Sequence, residues 1–367
     1  MRGVWFALLG IVLNTSVAAQ SVPWRFTEVL RFSEAPPDIV FGRVEDLAVD
    51  GEGRFYVLDP MNSEIYVFTS EGQHLRTMAR RGAGPGELSR QASQMALAGE
   101  TLAVVDIGNQ RVTRFALDGR HLGDFRLSLM EGPPMGLAGL SDGSLLVRRD
   151  PLPLPPGLAR DMPGPTAPVL LHFTPEGEVR DTIIVFRHQA LVAFSASGQM
   201  TMRMPDLMPV WGLDGARRPV VGHSDRYELQ TWQNDRLGAP WGRQDVRREP
   251  MTRAMRERMQ RTQDSVMVTM PAMPNMSREI QFPDSLPVMW TVAPGPFGTT
   301  LVGRATLWDD VDRLETPWDV FGPDGAFVGL VALPAGFRLL AAHDDRIYGV
   351  ALDQDDVSYV VVYRVTR

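Results

Sequence analysis

The segment VFTSEGQ (67–73) decides the fold, because closely similar text returns three more times along the chain. The copies are RFALDGR (114–120), HFTPEGE (172–178) and VFGPDGA (320–326). Each contains an aromatic residue, two spacers, an acid and a glycine. Glycine supplies the positive φ that a hairpin turn requires, and the acid can accept hydrogen bonds from the nearby backbone. Copies spaced by roughly 45 residues or more are typical of β-propeller blades.

Two neighbouring units align over a longer stretch, FYVLDPMNSEIYVF (55–68) against LAVVDIGNQRVTRF (102–115), without a gap. Hairpins of β-forming residues recur along the chain and open each unit. They cover residues 46–58, 94–105, 136–147, 191–202, 288–302 and 338–350. The sequence therefore predicts an all-β fold, a six-bladed β-propeller in which each blade has four strands, a to d.

The sixth unit lacks a fourth strand after VSYVVVYRV (357–365). The segment WRFTEVLRF (24–32) is a strand without a place in the other units. We expect this N-terminal strand to complete the last blade, because closing the ring removes the exposed edges that make sheets prone to aggregation.

The second unit resembles the NHL repeat, whose pattern reads D-x-x-N-x-R-I-x-x-F-x-x-x-G. The matching residues are Asp106, Asn109, Arg111, Val112, Phe115 and Gly119. The first unit also fits, although Glu64 replaces the arginine, and RRGAGPGEL (80–88) looks like the glycine-rich link of bacterial secreted members. The resemblance implies an NHL-repeat-like six-bladed propeller. Some relatives of this fold are lyases or lactone hydrolases that hold a metal with histidines and acids.

The first 19 residues read as a signal peptide. Arg2 is followed by a short apolar run and by the small residues Val17-Ala18-Ala19 at a cleavage-like site. An uncleaved anchor is the alternative, but the run is too short to span a bilayer comfortably. Residues 20–367 then form one propeller domain without a membrane span, and we expect the protein to be periplasmic or secreted.

Composition excludes several classes of chemistry. The chain has no cysteine and no lysine, so it has no cysteine nucleophile, Schiff-base lysine or phosphate-loop lysine. Its net charge of −7 argues against a general nucleic-acid binder, which needs a basic face.

The predicted insertions collect on one face of the propeller. In the predicted blades, 148–168 and 205–225 are b–c loops, and 245–286 joins blades four and five. All b–c and d–a connections of a propeller lie on the same side. Long loops on a rigid scaffold are typical of binding surfaces. We therefore expect a non-catalytic binding or interaction module whose ligand is a protein, a peptide or a carbohydrate.

The insertion predicts a helix at 249–263, with Pro250 in its first turn and an apolar stripe of Met251, Met255 and Met259. The stripe indicates either a lid or partner-binding helix, or simple packing against the propeller. A methionine run follows within 267–276, for which copper(I) binding and adaptable packing are both open.

Acidic and basic residues supply candidates for ligand contacts on that face. Aspartates near the ends of the predicted b strands indicate either a cation-attracting ring or caps of the b–c turns. Arg43 and Asp46, with Glu45, could bind a ligand or form a surface ion pair. The candidate ligand-binding residues are Arg43, Asp46, Asp59, Asp106, Arg149 and Asp309.

His188 and His223 are the candidate metal ligands, because both fall near loops of the decorated face. They underlie the alternative hypothesis of a metal-dependent propeller enzyme of lyase or lactone hydrolase type. No H-x-x-x-H or H-E-x-x-H spacing supports it, and no catalytic residue can be assigned. The sequence predicts no cofactor, with calcium or zinc as the possible metals.

Overall fold

The computed structural model is all-β in character, with one α-helix in the part of the chain that it describes. It describes residues 21–35, 39–154, 163–195, 199–269, 276–305, 317–353, 355 and 357–367. The predicted signal peptide and Asp309 lie outside these residues. Six four-stranded sheets, named I to VI here, account for most strands.

The first elements among the described residues are β1 (Arg25–Phe32) and the short pair β2 (Glu34–Ala35) and β3 (Ile39–Val40). Sheet I follows, with β4 (Asp46–Val49), β5 (Phe55–Asp59), β6 (Glu64–Phe68) and β7 (His74–Met78). Sheet II contains β8 (Ala92–Ala98), β9 (Thr101–Asp106), β10 (Arg111–Ala116) and β11 (His121–Arg126). Sheet III contains β12 (Pro134–Gly139), β13 (Leu145–Arg149), β14 (Val169–Phe173) and β15 (Val179–Val185).

The second half contains an additional sheet and the helix. Strands β16 (Val192–Phe194) and β17 (Met200–Arg203) precede sheet IV, which has β18 (Pro209–Leu213), β19 (Pro219–His223), β20 (Leu229–Gln233) and β21 (Arg236–Leu237). Helix α1 (Arg253–Thr269) and β22 (Met276–Gln281) come next. Sheet V has β23 (Met289–Pro294), β24 (Thr300–Arg304), β25 (Pro317–Phe321) and β26 (Phe327–Ala332). Sheet VI has β27 (Phe337–His343), β28 (Arg346–Leu352) and β29 (Ser358–Thr366).

The first strand of the chain completes sheet VI, as predicted. Strand β1 pairs antiparallel with β29, from Arg25 opposite Thr366 to Phe32 opposite Val360, so the sheet order is β1-β29-β28-β27. This pairing gives the backbone of β29 a partner on both sides. A ring seam that joins distant chain positions is thereby held by a ladder of hydrogen bonds.

Apolar clusters fill every junction between successive sheets. One cluster joins sheets VI and I around Phe55 and Tyr348, and the next joins I and II around Tyr56 and Leu102. Equivalent clusters lie between II and III, III and IV, IV and V, and V and VI. Because each sheet buries both of its faces, the sheets stack radially, and the arrangement is that of a β-propeller.

The turn that opened the sequence analysis recurs in one hydrogen-bonded form. In this turn, residue i donates to the carbonyl of residue i+4, and residue i+3 donates to the carbonyl of residue i. The described residues contain seven such turns: 50–54, 69–73, 116–120, 140–144, 174–178, 214–218 and 322–326. Six have glycine at i+3, each with positive φ, and the seventh has Arg217 with a φ of 59°.

The first hairpin predicted for the fourth blade was wrong. Residues 191–202 belong instead to the side sheet, defined here as β16, β17 and β22, in which β17 pairs in parallel with β22. Residues 205–225, predicted to be a b–c loop, contain β18 and β19 of sheet IV. The hairpin was hidden because its turn has Arg217 where the sister turns have the diagnostic glycine.

Helix α1 begins four residues later than predicted and extends further, over Arg253–Thr269. Thr252 caps its first turn, since its hydroxyl accepts a hydrogen bond from the Met255 N–H at 3.3 Å. Pro250 lies before the helix, in an isolated bridge with Ser285. Met251 and Met259 are buried together with Met204 and Leu286. The methionine stripe therefore packs inward.

The seam can be tested with Phe32→Ala. The Phe32 ring contacts the rings of Phe68 and Phe41, at centroid distances of 4.9 and 5.9 Å, and so ties β1 to sheet I. We expect the free energy of unfolding to fall by about 3 kcal/mol in urea titrations, because the variant leaves a cavity at the junction. Val40→Ala is the control, since that side chain is 61% exposed. Equal effects of the two variants would contradict the role of the seam.

Candidate functional site

A pocket of about 330 Å³ opens on the face that carries the b–c and d–a connections. One wall is the b–c connection of sheet III, and the other is the segment that leads from sheet III into the side sheet. The lining residues are Pro151, Leu152, Pro153, Leu154, Gly164, Pro165, Thr166, His188, Ala190, Val192 and Phe194. The walls are thus almost entirely proline and aliphatic or aromatic carbon.

Among the residues that the structure describes, His188 is the one ionisable residue that lines this pocket. Burial lowers the pKa of its imidazole, and the nearby Asp150 carboxylate opposes that shift. The imidazole is therefore neutral at pH 7. Asp150 is itself paired with Arg148 at 2.8 Å, so no unbalanced charge stands at the rim here. Such a pocket favours an apolar group over a charged one.

Strand β16 gives the pocket a free strand edge. The Arg203 N–H donates to Leu191 O, and the Ser195 N–H donates to Gln199 O, so the odd-numbered residues of β16 face β17. Successive residues of a strand alternate in this respect. The backbone N–H and C=O groups of Val192 and Phe194 therefore point outward, and β16 is the edge of the side sheet as described. Their side chains line the pocket.

The candidates Asp59 and Asp106 are used within the fold. Asp59 is fully buried and accepts hydrogen bonds from the N–H groups of Gly42 and Arg43, in the segment that enters sheet I. Asp106 does the same for sheet II, accepting from the Ser89 N–H at 2.9 Å. Each is bonded by the amide of the asparagine three residues later. The interpretation as caps of the b–c turn is confirmed, and the carboxylates also fasten the incoming chain.

Arg149 fastens the incoming segment of sheet III in the same way, but it donates hydrogen bonds where the two aspartates accept them. It ends β13 and is 4% exposed. Its Nη1 donates to the carbonyls of Ser128 and Gly132, in the segment that enters the sheet. Burial lowers the pKa of this guanidinium, with Glu131 at 3.5 Å opposing the shift. Arg149 therefore contacts the protein rather than the pocket.

Arg43 and Asp46 lie apart from the pocket. Arg43 pairs with Glu45 at 2.8 Å through a half-exposed side chain, which corresponds to the surface ion pair considered above. Asp46 accepts hydrogen bonds from the Leu47 and Met95 N–H groups, at 2.8 and 2.7 Å, and so links β4 to β8. Burial raises the pKa of its carboxyl to about 6.

The two candidate metal ligands, His188 and His223, have different surroundings. Nε2 of His223 accepts a hydrogen bond from the Arg187 N–H at 3.0 Å, and its ring lies edge-on to Phe186. His188 instead faces the pocket. Within the described ranges, no group of three or more histidine, aspartate or glutamate side chains could hold a metal ion. A metal at either histidine stays a prediction.

Sequence reasoning placed the 148–168 loop on the binding face but missed the strand edge beside it. The segment 191–202 was assigned to a blade as its first hairpin, whereas the structure places it in a separate side sheet. One signal was available: FSASGQM keeps the aromatic residue and the glycine of the blade turns, but serine stands in place of the acid. The pocket itself depends on long-range packing and has no sequence signature.

The comparisons with known proteins agree on a propeller. A family model described as a 6-bladed beta-propeller matches residues 34–135. A protein described as exported, from Bacteroides fragilis, is 11% identical with a TM-score of 0.55, over 96% of this chain and 98% of that one. A member of the duf4221 family from Bacteroides vulgatus is 9% identical with a TM-score of 0.57, over 94% and 99%.

A gluconolactonase from Xanthomonas campestris also matches, at 12% identity and a TM-score of 0.45, over 96% of this chain and 93% of that one. No curated protein matches the chain by sequence. Identities this low show the fold alone, and the resemblance to NHL repeats stays a prediction. No helix in the described ranges has the length and apolar character needed to cross a membrane.

The raised pKa of Asp46 predicts that the free energy of unfolding depends on pH. A carboxyl whose pKa is about 6 in the folded protein, above its ordinary value, stabilises the fold at low pH and loses that contribution as the pH rises through 6. The unfolding free energy of the wild type, relative to Asp46→Asn, should fall by on the order of 2 kcal/mol between about pH 4 and 7. Urea titrations across this range measure it, and a constant difference would contradict it.

Proposed function

We propose that this protein is an exported six-bladed β-propeller that binds an extended, apolar peptide segment of a partner protein, without catalysis. The observation that carries the proposal is the free edge of β16 beside the proline-walled pocket. In this proposal sheets I to VI are the six blades, residues 1–19 are a cleaved signal, and 20–367 form the domain. The helical insertion at 245–286 then lies between blades four and five.

The free edge of β16 supplies main-chain hydrogen bonds to the bound peptide. The outward N–H and C=O groups of Val192 and Phe194 have no strand partner among the described residues. An incoming extended segment can add as a further strand and pair with them, as in β-augmentation. This mode reads the backbone and therefore tolerates many sequences.

The pocket supplies the side-chain preference. Its volume of about 330 Å³ suits one aromatic or two small apolar side chains of the added strand. Its proline and aliphatic walls offer few hydrogen-bond partners for sugar hydroxyls, so a peptide fits better than a carbohydrate. A charged side chain would lose its hydration there without gaining a partner.

Export is supported by two separate observations. The N-terminal segment has the charge, the apolar run and the small residues of a signal, and a similar structure is described as an exported protein. The chain has no cysteine, so it forms no disulfide in an oxidising compartment.

The test uses a fluorescein-labelled heptapeptide of alternating valine and threonine, with phenylalanine, proline, leucine or glutamate at its centre. Fluorescence anisotropy with the full protein should show saturable binding for the apolar centres and at least tenfold weaker binding for glutamate. Val192→Pro removes one outward donor while leaving the ladder to β17 intact, because proline is tolerated where an edge N–H faces solvent. Phe194→Asp places a charge in the pocket. Each variant should weaken binding at least tenfold.

The matched control is Val328→Asp, on the outer strand of sheet V, where the side chain is 52% exposed. It should leave both binding and the melting temperature unchanged. The proposal is overturned if no apolar peptide binds, or if Val192→Pro and Phe194→Asp, shown to be folded by circular dichroism, bind like the wild type.

A further inference from the structure

The opposite face carries a second cavity, at the centre of the ring. It has a volume of about 510 Å³ and lies where the a–b turns of sheets I, II, III, IV and VI converge. The lining residues include Asp50, Glu52, Arg54, Glu100, Arg217 and His343. Because the turns come from five different sheets, the cavity is the axial opening on the turn face. It is separate from the pocket of the proposed function.

Arg217, which lines this opening, has a backbone conformation that is unusual for an arginine. It occupies position i+3 of the recurrent turn, where Gly53, Gly143 and the other sister residues have positive φ. An arginine at a φ of 59° adopts a left-handed conformation that strains any residue with a Cβ. Strained residues of this kind gather at binding and catalytic sites, so the outlier points to a role for the side chain.

The guanidinium of Arg217 has no hydrogen-bond or ion-pair partner within the described ranges, although it lines a cavity with three carboxylates. Two of those are committed elsewhere, since Asp50 and Glu52 both pair with Arg54, at 2.7 and 3.1 Å. Arg217 is exposed overall, and desolvation by the surrounding turns lowers the pKa of its guanidinium. It still carries its charge at neutral pH.

Glu100 is the complementary group. It lines the same cavity on the a–b turn of sheet II and, like Arg217, has no partner within the described ranges. The two side chains are not paired with each other, because no contact within 4.0 Å joins them. His343 is close to Asp344, at 3.5 Å, and is therefore also turned to a neighbour. The opening is thus lined by one cation and one anion that have no partner within the described ranges.

We propose that the axial opening binds a small zwitterion, such as a free amino acid or a dipeptide, with its carboxylate on Arg217 and its ammonium facing Glu100. Guanidinium is the side-chain group best matched to a carboxylate, which it can bind through two parallel hydrogen bonds. The other charged groups that line the axial opening already have partners. A net-neutral ligand with separated charges therefore suits the opening. A volume of about 510 Å³ accommodates molecules of this size.

The test measures binding of the twenty amino acids and of glycylglycine, one at a time, by thermal shift, followed by calorimetry for each hit. At least one should bind with a dissociation constant below about 1 mM, the scale at which a few hydrogen bonds and charges act. The N-acetylated acid and the decarboxylated amine of the same ligand should each bind at least tenfold more weakly. Equal binding of the N-acetylated acid would reduce the site to an anion site and overturn the zwitterion assignment.

The decisive variant is Arg217→Gly, which installs the residue that the six sister turns use. It should lose at least tenfold in affinity while its melting temperature is unchanged or higher, so misfolding cannot explain the loss. Glu100→Gln should weaken the zwitterion but leave the N-acetylated acid unaffected. Arg218→Gln is the control, because Arg218 belongs to the same turn, pairs with Asp214 at 2.7 Å and does not line the cavity. Full binding by Arg217→Gly, or no ligand in the panel, overturns the proposal.

Discussion

The antiparallel pairing of β1 with β29 is the constraint on which the structure depends. Without it, sheet VI would have three strands and an open edge, and the apolar cluster around Phe55 and Tyr348 would lose the covering that Phe32 provides. Sheets I to V are each built from one continuous part of the chain, whereas the seam joins two strands that are distant in sequence.

A second regular feature lies on the face that carries the long connections. The residue at or near the end of each b strand in sheets I to III fastens the segment that enters the same sheet: Asp59 and Asp106 accept from its N–H groups, and Arg149 donates to its carbonyls. This explains why polar residues at repeat positions resemble a ligand-binding ring in the sequence while serving the fold. The two surfaces that we propose to bind ligands lie where the repeat is broken, at the side sheet and at Arg217.

The repeat made most of the fold predictable. The glycine turns and the aromatic residues before them indicated sheets I, II, III and V, the hairpin at 338–350 indicated sheet VI, and the unplaced strand at 24–32 indicated the closure. The first hairpin of sheet IV was missed because Arg217 stands in place of the glycine, and the helix start was misplaced because Thr252, not Pro250, sets the cap. The pocket beside β16 could not be predicted, since it joins segments from two connections whose approach depends on tertiary packing.

The seam also governs when the native state can exist. Its two strands are separated in sequence by sheets I to V, so the last ladder cannot form until the residues around Thr366 have been synthesised. Folding must then overcome the entropy of closing a loop that contains all of these sheets, and topologies dominated by such distant contacts fold slowly. Until β1 pairs with β29, the ring is open and the edge of β29 is unpaired. A chaperone that covers this edge would therefore reduce aggregation.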